Sequence, residues 1–256
     1  MSVVAVIPAR YASRRFPGKP LAPILGRPMI AWVVAAAQAA RKVDQVLVAT
    51  DDDRIAQAAR DAGAEVRMTS AEHATGTDRV AEAVRDSAAD VVLNLQGDEP
   101  LLSPPAVDAL VEAFADLDVR MATLAVRGVT EADRQDPNVA KIVVDDRGDA
   151  LYFSRAAIPF RNEAAGAPAL GAGERDLAGW KHVGTYGFRR DALREFVAAP
   201  REGLEALEDL EQLRALRLGW RIRVVAIRDE PICVDRPEDV ARVEVVLRNR
   251  SEGVAR

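Results

Sequence analysis

The sequence predicts an α/β fold of three layers, with a mostly parallel central sheet and a smaller β-rich region, and three observations carry that prediction. Short apolar runs alternate with amphipathic stretches through the first half of the chain. Those runs are continuously apolar, as strands covered on both faces must be. After residue 121 the alternation gives way to closely spaced β-rich runs joined by turn residues.

Taken in order, Val3 to Ile7 reads as a strand and Met29 to Ala40 as a helix. Gln45 to Ala49 and Arg54 to Ala62 form a second such pair, and Val91 to Leu95 and Pro104 to Ala115 a third. This βαβ rhythm implies parallel strands whose carboxyl ends face the ligand. Met121 to Val126, Ala140 to Val144 and Ala150 to Phe153 read as strands. The turn residues Asp145-Asp146-Arg147-Gly148 between the last two predict a hairpin. Residues 162–179, rich in Ala, Gly and charge without period, are expected as a mobile excursion, a lid or a subunit contact. His182 to Phe188 reads as a strand, Leu204 to Leu218 as one strong helix with leucines at its core stripe, Ile222 to Ala226 as a strand, and Pro237 to Leu247 as a closing helix. A single domain over residues 1–256 is expected, its β-rich sub-region around 121–190.

Composition narrows the function. With 35 basic against 40 acidic residues the formal charge is −5, so no global basic field favours nucleic acid, and an anionic ligand must meet a local cluster of cations. One cysteine, Cys233, excludes an intrachain disulfide framework and a Cys-based zinc site, and reads as a small core residue. The first residues lack the pattern of a signal peptide, and no apolar run reaches membrane-spanning length, which predicts a cytoplasmic protein.

Two segments invite chemistry. Directly after the first strand, Pro8 to Pro20 carries Arg10, Arg14, Arg15 and Lys19, four cations within ten positions, with Ser13 and Gly18 among them. At the carboxyl end of a strand such a loop either converges on a polyanion, a triphosphate being the natural guest, or is a solvated surface loop. It matches neither a Walker loop nor a dinucleotide-binding glycine fingerprint. Second, Gln96-Gly97-Asp98-Glu99-Pro100 ends the strand Val91 to Leu95. Asp98 is positioned either to hold Mg²⁺ or to make an Asx turn before Pro100. Later, Asp235 at a strand-to-helix junction is most simply a helix N-cap. His182 and Tyr186 share one face of a strand, which suits a polyol.

These segments resemble, over almost the whole chain, the 3-deoxy-manno-octulosonate (KDO) cytidylyltransferases, or CMP-KDO synthetases. The resemblance lies in Ile7-Pro8-Ala9-Arg10-Tyr11-Ala12-Ser13, Arg15-Phe16-Pro17-Gly18-Lys19-Pro20-Leu21, His73-Ala74-Thr75-Gly76-Thr77-Asp78-Arg79, Gln96-Gly97-Asp98-Glu99-Pro100, Ala150-Leu151-Tyr152-Phe153-Ser154-Arg155, His182-Val183-Gly184-Thr185-Tyr186, Leu210-Glu211-Gln212-Leu213-Arg214 and Val234-Asp235-Arg236-Pro237-Glu238-Asp239. It implies a nucleotide-diphospho-sugar transferase-like fold. The implied reaction joins CTP and KDO to give CMP-KDO and pyrophosphate, for lipopolysaccharide biosynthesis. Arg10, Ser13, Arg15 and Lys19 would hold the triphosphate, with Thr75, Gly76, Thr77, Arg79 and Gln96 around the nucleotide. Asp98 and Asp235 would be the Mg²⁺ ligands. Arg10, Lys19, Asp98 and Asp235 would carry the catalysis. Arg155, His182, Tyr186, Glu211 and Gln212 would surround the sugar acid. A homodimer is implied, with the β-rich region contributing to contact and substrate binding.

The chain departs from the family pattern at Arg14, where a small hydroxylated residue is usual, at Cys233 in place of Gly, at Arg236 in place of Thr, and at Asn162 where an Arg is common. A cytidylyltransferase for the 8-amino analogue or another ulosonic acid is the neighbouring alternative. A non-catalytic nucleotide-sugar binding protein is the alternative of a different class.

Overall fold

The structure, a computed structural model, describes residues 1–13, 15–160, 162 and 179–254, with side chains to residue 250. Arg14 and nearly all of the expected excursion at 162–179 lie outside the described residues. The chain divides into two compact units: Met1–Val111 with Pro231–Arg256, and Glu112–Glu230.

The first unit opens with β1 (Val3–Ala9), a short hairpin of β2 (Pro23–Ile24) and β3 (Arg27–Pro28), then α1 (Met29–Gln38), β4 (Gln45–Thr50), α2 (Asp53–Asp61), β5 (Glu65–Met68), α3 (Gly76–Ala83), β6 (Val91–Asn94) and α4 (Pro104–Glu112). β6, β1, β4 and β5 lie side by side in that order, every pairing parallel. In β6 all four residues are buried, and in β1 six of seven. Successive side chains point to opposite faces, so burial of both sets means that both faces are covered, as the continuous apolar runs predict.

The second unit contains β7 (Met121–Arg127), α5 (Glu131–Gln135), β8 (Lys141–Val144), β9 (Ala150–Ser154), β10 (Trp180–Arg189), α6 (Arg190–Ala198), α7 (Leu204–Glu208), α8 (Leu213–Arg217) and β11 (Ile222–Ile227). β7 pairs antiparallel with β10 and parallel with β11. β8 and β9 form the expected antiparallel hairpin. The β-rich sub-region of 121–190 thus falls inside this larger unit. The chain then returns to the first unit for α9 (Pro237–Val254). Its Val243 joins Ile24, Met29, Leu101 and Val234 in a buried cluster ringed by Phe16, Trp32, Ile232 and Val240. That cluster anchors the end of the chain beside the loop that follows β1.

The single helix expected over Leu204 to Leu218 is instead two short helices. Asp209 adopts φ 51°, ψ 47°, a left-handed conformation that ends α7, and α8 begins only at Leu213. Leu204 and Leu207 are exposed whereas Leu210 and Leu213 are buried, so no continuous leucine stripe forms. The break is held by a buried ion pair: Arg214 Nε and Nη2 donate to Glu205 Oε2 and Oε1 at 2.8 and 2.5 Å. α3, α5 and α6 are absent from the sequence expectation. The first two start with capping boxes, Thr75 with Asp78 and Thr130 with Asp133, a spacing that marks a helix start.

Candidate functional site

The loop after β1 is shaped by its own backbone. The Tyr11 carbonyl accepts from the N–H groups of Ser13 (2.8 Å) and Gly18 (2.9 Å). Gly18 sits at φ 72°, a conformation that disfavours a side chain, and a Cβ there would also lie 3.0 Å from the Tyr11 ring. The turn delivers Lys19 to the end of β6. Lys19 Nζ lies 2.6 Å from Asp98 Oδ2 and 3.7 Å from Asp235 Oδ1, and Arg15 Nη2 lies 2.8 Å from Asp235 Oδ1. Two cations and two carboxylates from three separate stretches of sequence form one cluster. Arg10 is exposed and Ser13 partly so.

Asp98 is placed by close backbone approach. A Cβ on Gly97 would lie 2.9 Å from the Pro8 carbonyl oxygen, so only glycine lets the strand-end loop pass so near β1. Asp235 is placed by its neighbours: the N–H of buried Val234 donates to the Asp98 carbonyl at 2.9 Å. The Asp239 carboxylate accepts from the N–H groups of Asp235 (3.0 Å) and Arg236 (2.9 Å). Burial raises the Asp239 carboxyl, but those donors and Arg242 outweigh it and hold the group below the ordinary carboxylate range. Asp239, in the first turn of α9, thus reaches back to the residues before the helix, and the Asp235 carboxylate, rather than capping, is turned to Arg15 and Lys19.

Ligand atoms of Asp98, Asp235 and Cys233 all lie within 4.8 Å of one another. Two hard carboxylate oxygens fit Mg²⁺. Cys233 is exposed beside them, which corrects its reading as a core residue. Alternate residues of an extended chain share a side, so with Val234 in the core, Cys233 and Asp235 face away together. One cysteine carries no spacing signal, and the sequence alone could not find this.

At α3, Thr75 caps the helix and Gly76 lies against the Pro8 ring, where a Cβ would come within 3.3 Å. Thr77 and Arg79 are buried: Asn94 Nδ2 donates to Thr77 Oγ1 at 3.0 Å, and Arg79 Nη1 donates to Thr69 Oγ1 at 2.6 Å. These two side chains brace the helix start, while Thr75, Gly76 and Gln96 keep exposure to solvent.

The expected sugar residues gather in the second unit. A two-residue irregularity in the β10–β7 register between Val183 and Tyr186 keeps His182 and Tyr186 together, ring centroids 5.5 Å apart. Tyr186 Oη donates to Gln212 Oε1 at 2.9 Å, and His182 Nε2 lies 2.9 Å from Thr123 Oγ1. Desolvation among Phe153, Tyr186 and Thr123 pushes the His182 imidazole down to about 3, so it is neutral near pH 7. Arg155 is differently employed: its guanidinium donates to the carbonyl oxygens of Glu208, Asp209 and Pro137, and its N–H to the Glu208 carboxylate. Buried Lys141 donates to the carbonyls of Asp136, Val139 and Arg155. Glu211 is only partly exposed, two residues before α8. Among the described residues no helix is long and apolar enough to cross a membrane.

Residues 4–222 match the family model described as Cytidylyltransferase. A 3-deoxy-manno-octulosonate cytidylyltransferase from Syntrophotalea carbinolica is 48% identical over 97% of this chain and 99% of its own, and one from Geobacter sulfurreducens is 49% identical over 95% and 98%. A solved CMP:2-keto-3-deoxy-manno-octonic acid synthetase in complex with CTP superposes with a TM-score of 0.89, at 39% identity over 98% of this chain and 100% of that one. A 4-diphosphocytidyl-2C-methyl-D-erythritol synthase from Anaerococcus prevotii shares the fold alone, with a TM-score of 0.65 at 14% identity over 96% of this chain and 98% of that one. With its basic loop, its paired carboxylates and matches along nearly its full length, this chain belongs to the cytidylyltransferase family, among the 3-deoxy-manno-octulosonate cytidylyltransferases.

Proposed function

We propose that this protein transfers CMP from CTP to KDO, releasing pyrophosphate, and that the cluster of Arg15, Lys19, Asp98 and Asp235 is its chemical centre. The observation that carries the reading is the cluster itself. Cations suited to a triphosphate and carboxylates suited to a divalent ion meet at strand ends, in a chain about half identical to enzymes of that name.

In this reaction the anomeric hydroxyl of KDO attacks the α-phosphorus of CTP, a P–O bond forms, the bond to the bridging oxygen breaks as pyrophosphate leaves, and the hydroxyl proton is released to solvent. Arg10, Arg15 and Lys19 neutralise the triphosphate and hold the leaving group, with Ser13 beside them. The exposed start of α3, at Thr75 and Gly76, lines the cytidine side together with Gln96. His182, Tyr186, Glu211 and Gln212 supply the polar surface for the sugar acid, and His182 serves as a neutral hydrogen-bonding group. Arg155 supports that surface through the backbone it holds. Asp98 and Asp235 would hold Mg²⁺, which when bound offsets phosphate charge and lowers the pKa of a coordinated hydroxyl. The reading extends to a cytoplasmic homodimer serving lipopolysaccharide assembly. Leu151, exposed on the β8–β9 hairpin, suits a subunit contact, and sedimentation at micromolar concentration tests the assembly.

The deciding experiment follows pyrophosphate release with CTP and Mg²⁺ in the presence of KDO, its 8-amino analogue, N-acetylneuraminate or no sugar, with Asp98→Ala as the blank. Release with KDO that vanishes in the variant is the expected result. Release only with another acid moves the substrate, and release with none overturns the reading.

A further inference from the structure

The loop that carries Lys19 is braced from outside. Asp52, the N-cap of α2, accepts from the N–H groups of Arg54 (2.9 Å) and Ile55 (3.4 Å). The same carboxylate pairs bidentately with one edge of the Arg54 guanidinium, Nε to Oδ1 at 3.0 Å and Nη2 to Oδ2 at 2.6 Å. The side-chain bond from Arg54 is the leading reason that the Asp52 carboxyl lies below its ordinary value. Held as a fork, the guanidinium lies over the Tyr11 ring, its central carbon 3.5 Å from the ring centroid. The Tyr11 ring is also the surface against which Gly18 turns, and the Tyr11 carbonyl receives the N–H groups of Ser13 and Gly18. Lys19 follows Gly18 directly.

We propose that Arg54 is a positioning residue for the phosphate loop, acting through the Tyr11 ring: it pins the ring, and the ring and its carbonyl fix the turn that aims Lys19. The inference rests on the reading of this loop as the CTP site. A fork tied to a helix cap has little rotamer freedom left to lose, so the cation–π contact is pre-organised even though Arg54 itself is exposed. In its absence the loop keeps its residues and its charge but samples more conformations, and the loss falls on nucleotide affinity rather than on turnover once the nucleotide is bound.

The test is a double-mutant cycle read by calorimetric titration of CTP and by the split between KM and kcat, using the intact protein with Arg54→Ala, Arg54→Lys, Tyr11→Leu and Arg54→Ala/Tyr11→Leu. Arg54→Ala is expected to weaken CTP binding about fivefold, the scale of an exposed cation–π contact, with kcat at saturating CTP within about twofold. Arg54→Lys, which keeps a cation for the ring but loses the two-bond fork to Asp52, is expected to recover at most part of the affinity. In the Tyr11→Leu background the arginine substitution is expected to change little. Equal losses in both backgrounds, no loss with Arg54→Ala, or a lysine variant that binds CTP as tightly as the wild type overturns the proposal. Wild-type protein that binds no CTP overturns the underlying reading, and the inference with it.

Discussion

Lys19 Nζ stands 2.6 Å from Asp98 Oδ2 and 3.7 Å from Asp235 Oδ1, so one ammonium serves two carboxylates that are the candidate ligands of a divalent ion. The residue expected to bind phosphate thus also competes with metal. Lys19→Met is expected to raise affinity for Mn²⁺ alone by about tenfold, the size of a ~1.4 kcal/mol loss of competition, while lowering kcat/KM for CTP by about a hundredfold or more. Paramagnetic resonance titration of free Mn²⁺ checks the first effect and pyrophosphate release the second. Unchanged or weaker Mn²⁺ binding in the variant contradicts the competition.

Gly97→Ala probes the close approach of the two strand ends. The added Cβ meets the Pro8 carbonyl oxygen at 2.9 Å, a backbone atom that cannot swing aside. Overpacking of this kind costs about 1–3 kcal/mol. A fall in Tm of several degrees is expected, together with a loss of turnover greater than tenfold, because Asp98 is the next residue. Scanning calorimetry and the pyrophosphate assay measure the pair, and full activity in the variant would show that the contact is slack.

Glu205 and Arg214 form a buried pair whose side chains are 2% and 4% exposed. Glu205→Gln removes the carboxylate that takes the guanidinium at 2.8 and 2.5 Å, and removing one partner of a buried pair costs about 3–5 kcal/mol. Urea unfolding should record that loss. Because the pair braces α7 against the start of α8, where Glu211 and Gln212 lie, KM for KDO is expected to rise more than KM for CTP in protein that remains folded.

His182 makes stability depend on pH. Its folded value of about 3 lies below the 6.5 of an ordinary imidazole, so the unfolded chain binds the proton first. The histidine's contribution is fully present above pH 6.5 and declines as pH falls toward 3. Between pH 7 and pH 5 it should remove about 1–2 kcal/mol from the folded state. Urea midpoints at the two pH values, compared with His182→Gln, test this. A variant with the same pH dependence as the wild type would assign the effect to other groups.

The strands were readable because their burial on both faces writes itself as unbroken apolar runs: Val91 to Leu95 needed no partner to be recognised. The convergence of Lys19 with Asp98 was readable for a related reason, since both follow parallel strands and so arrive at one edge. The region from Leu204 to Leu218 misled because leucines every third residue imitate a helix face, whereas the stop at Asp209 depends on a left-handed residue and on the Glu205–Arg214 pair. Cys233 reads as a core residue in the sequence and Arg54 does not stand out there, because what matters about each is a neighbour distant in sequence, Asp98 in one case and Tyr11 in the other.

One unit of this protein is written in two pieces, residues 1–111 and 231–256, with the other unit between them. A ribosome therefore makes Lys19 and Asp98 long before it makes Asp235. Until residues 231–239 leave the exit tunnel, the nascent chain holds a basic loop facing one of its two carboxylates, and Arg15 has no Asp235 to engage. Vectorial synthesis thereby acts as a timer, because the cluster of Arg15, Lys19, Asp98 and Asp235 is completed only after the whole intervening unit has been made.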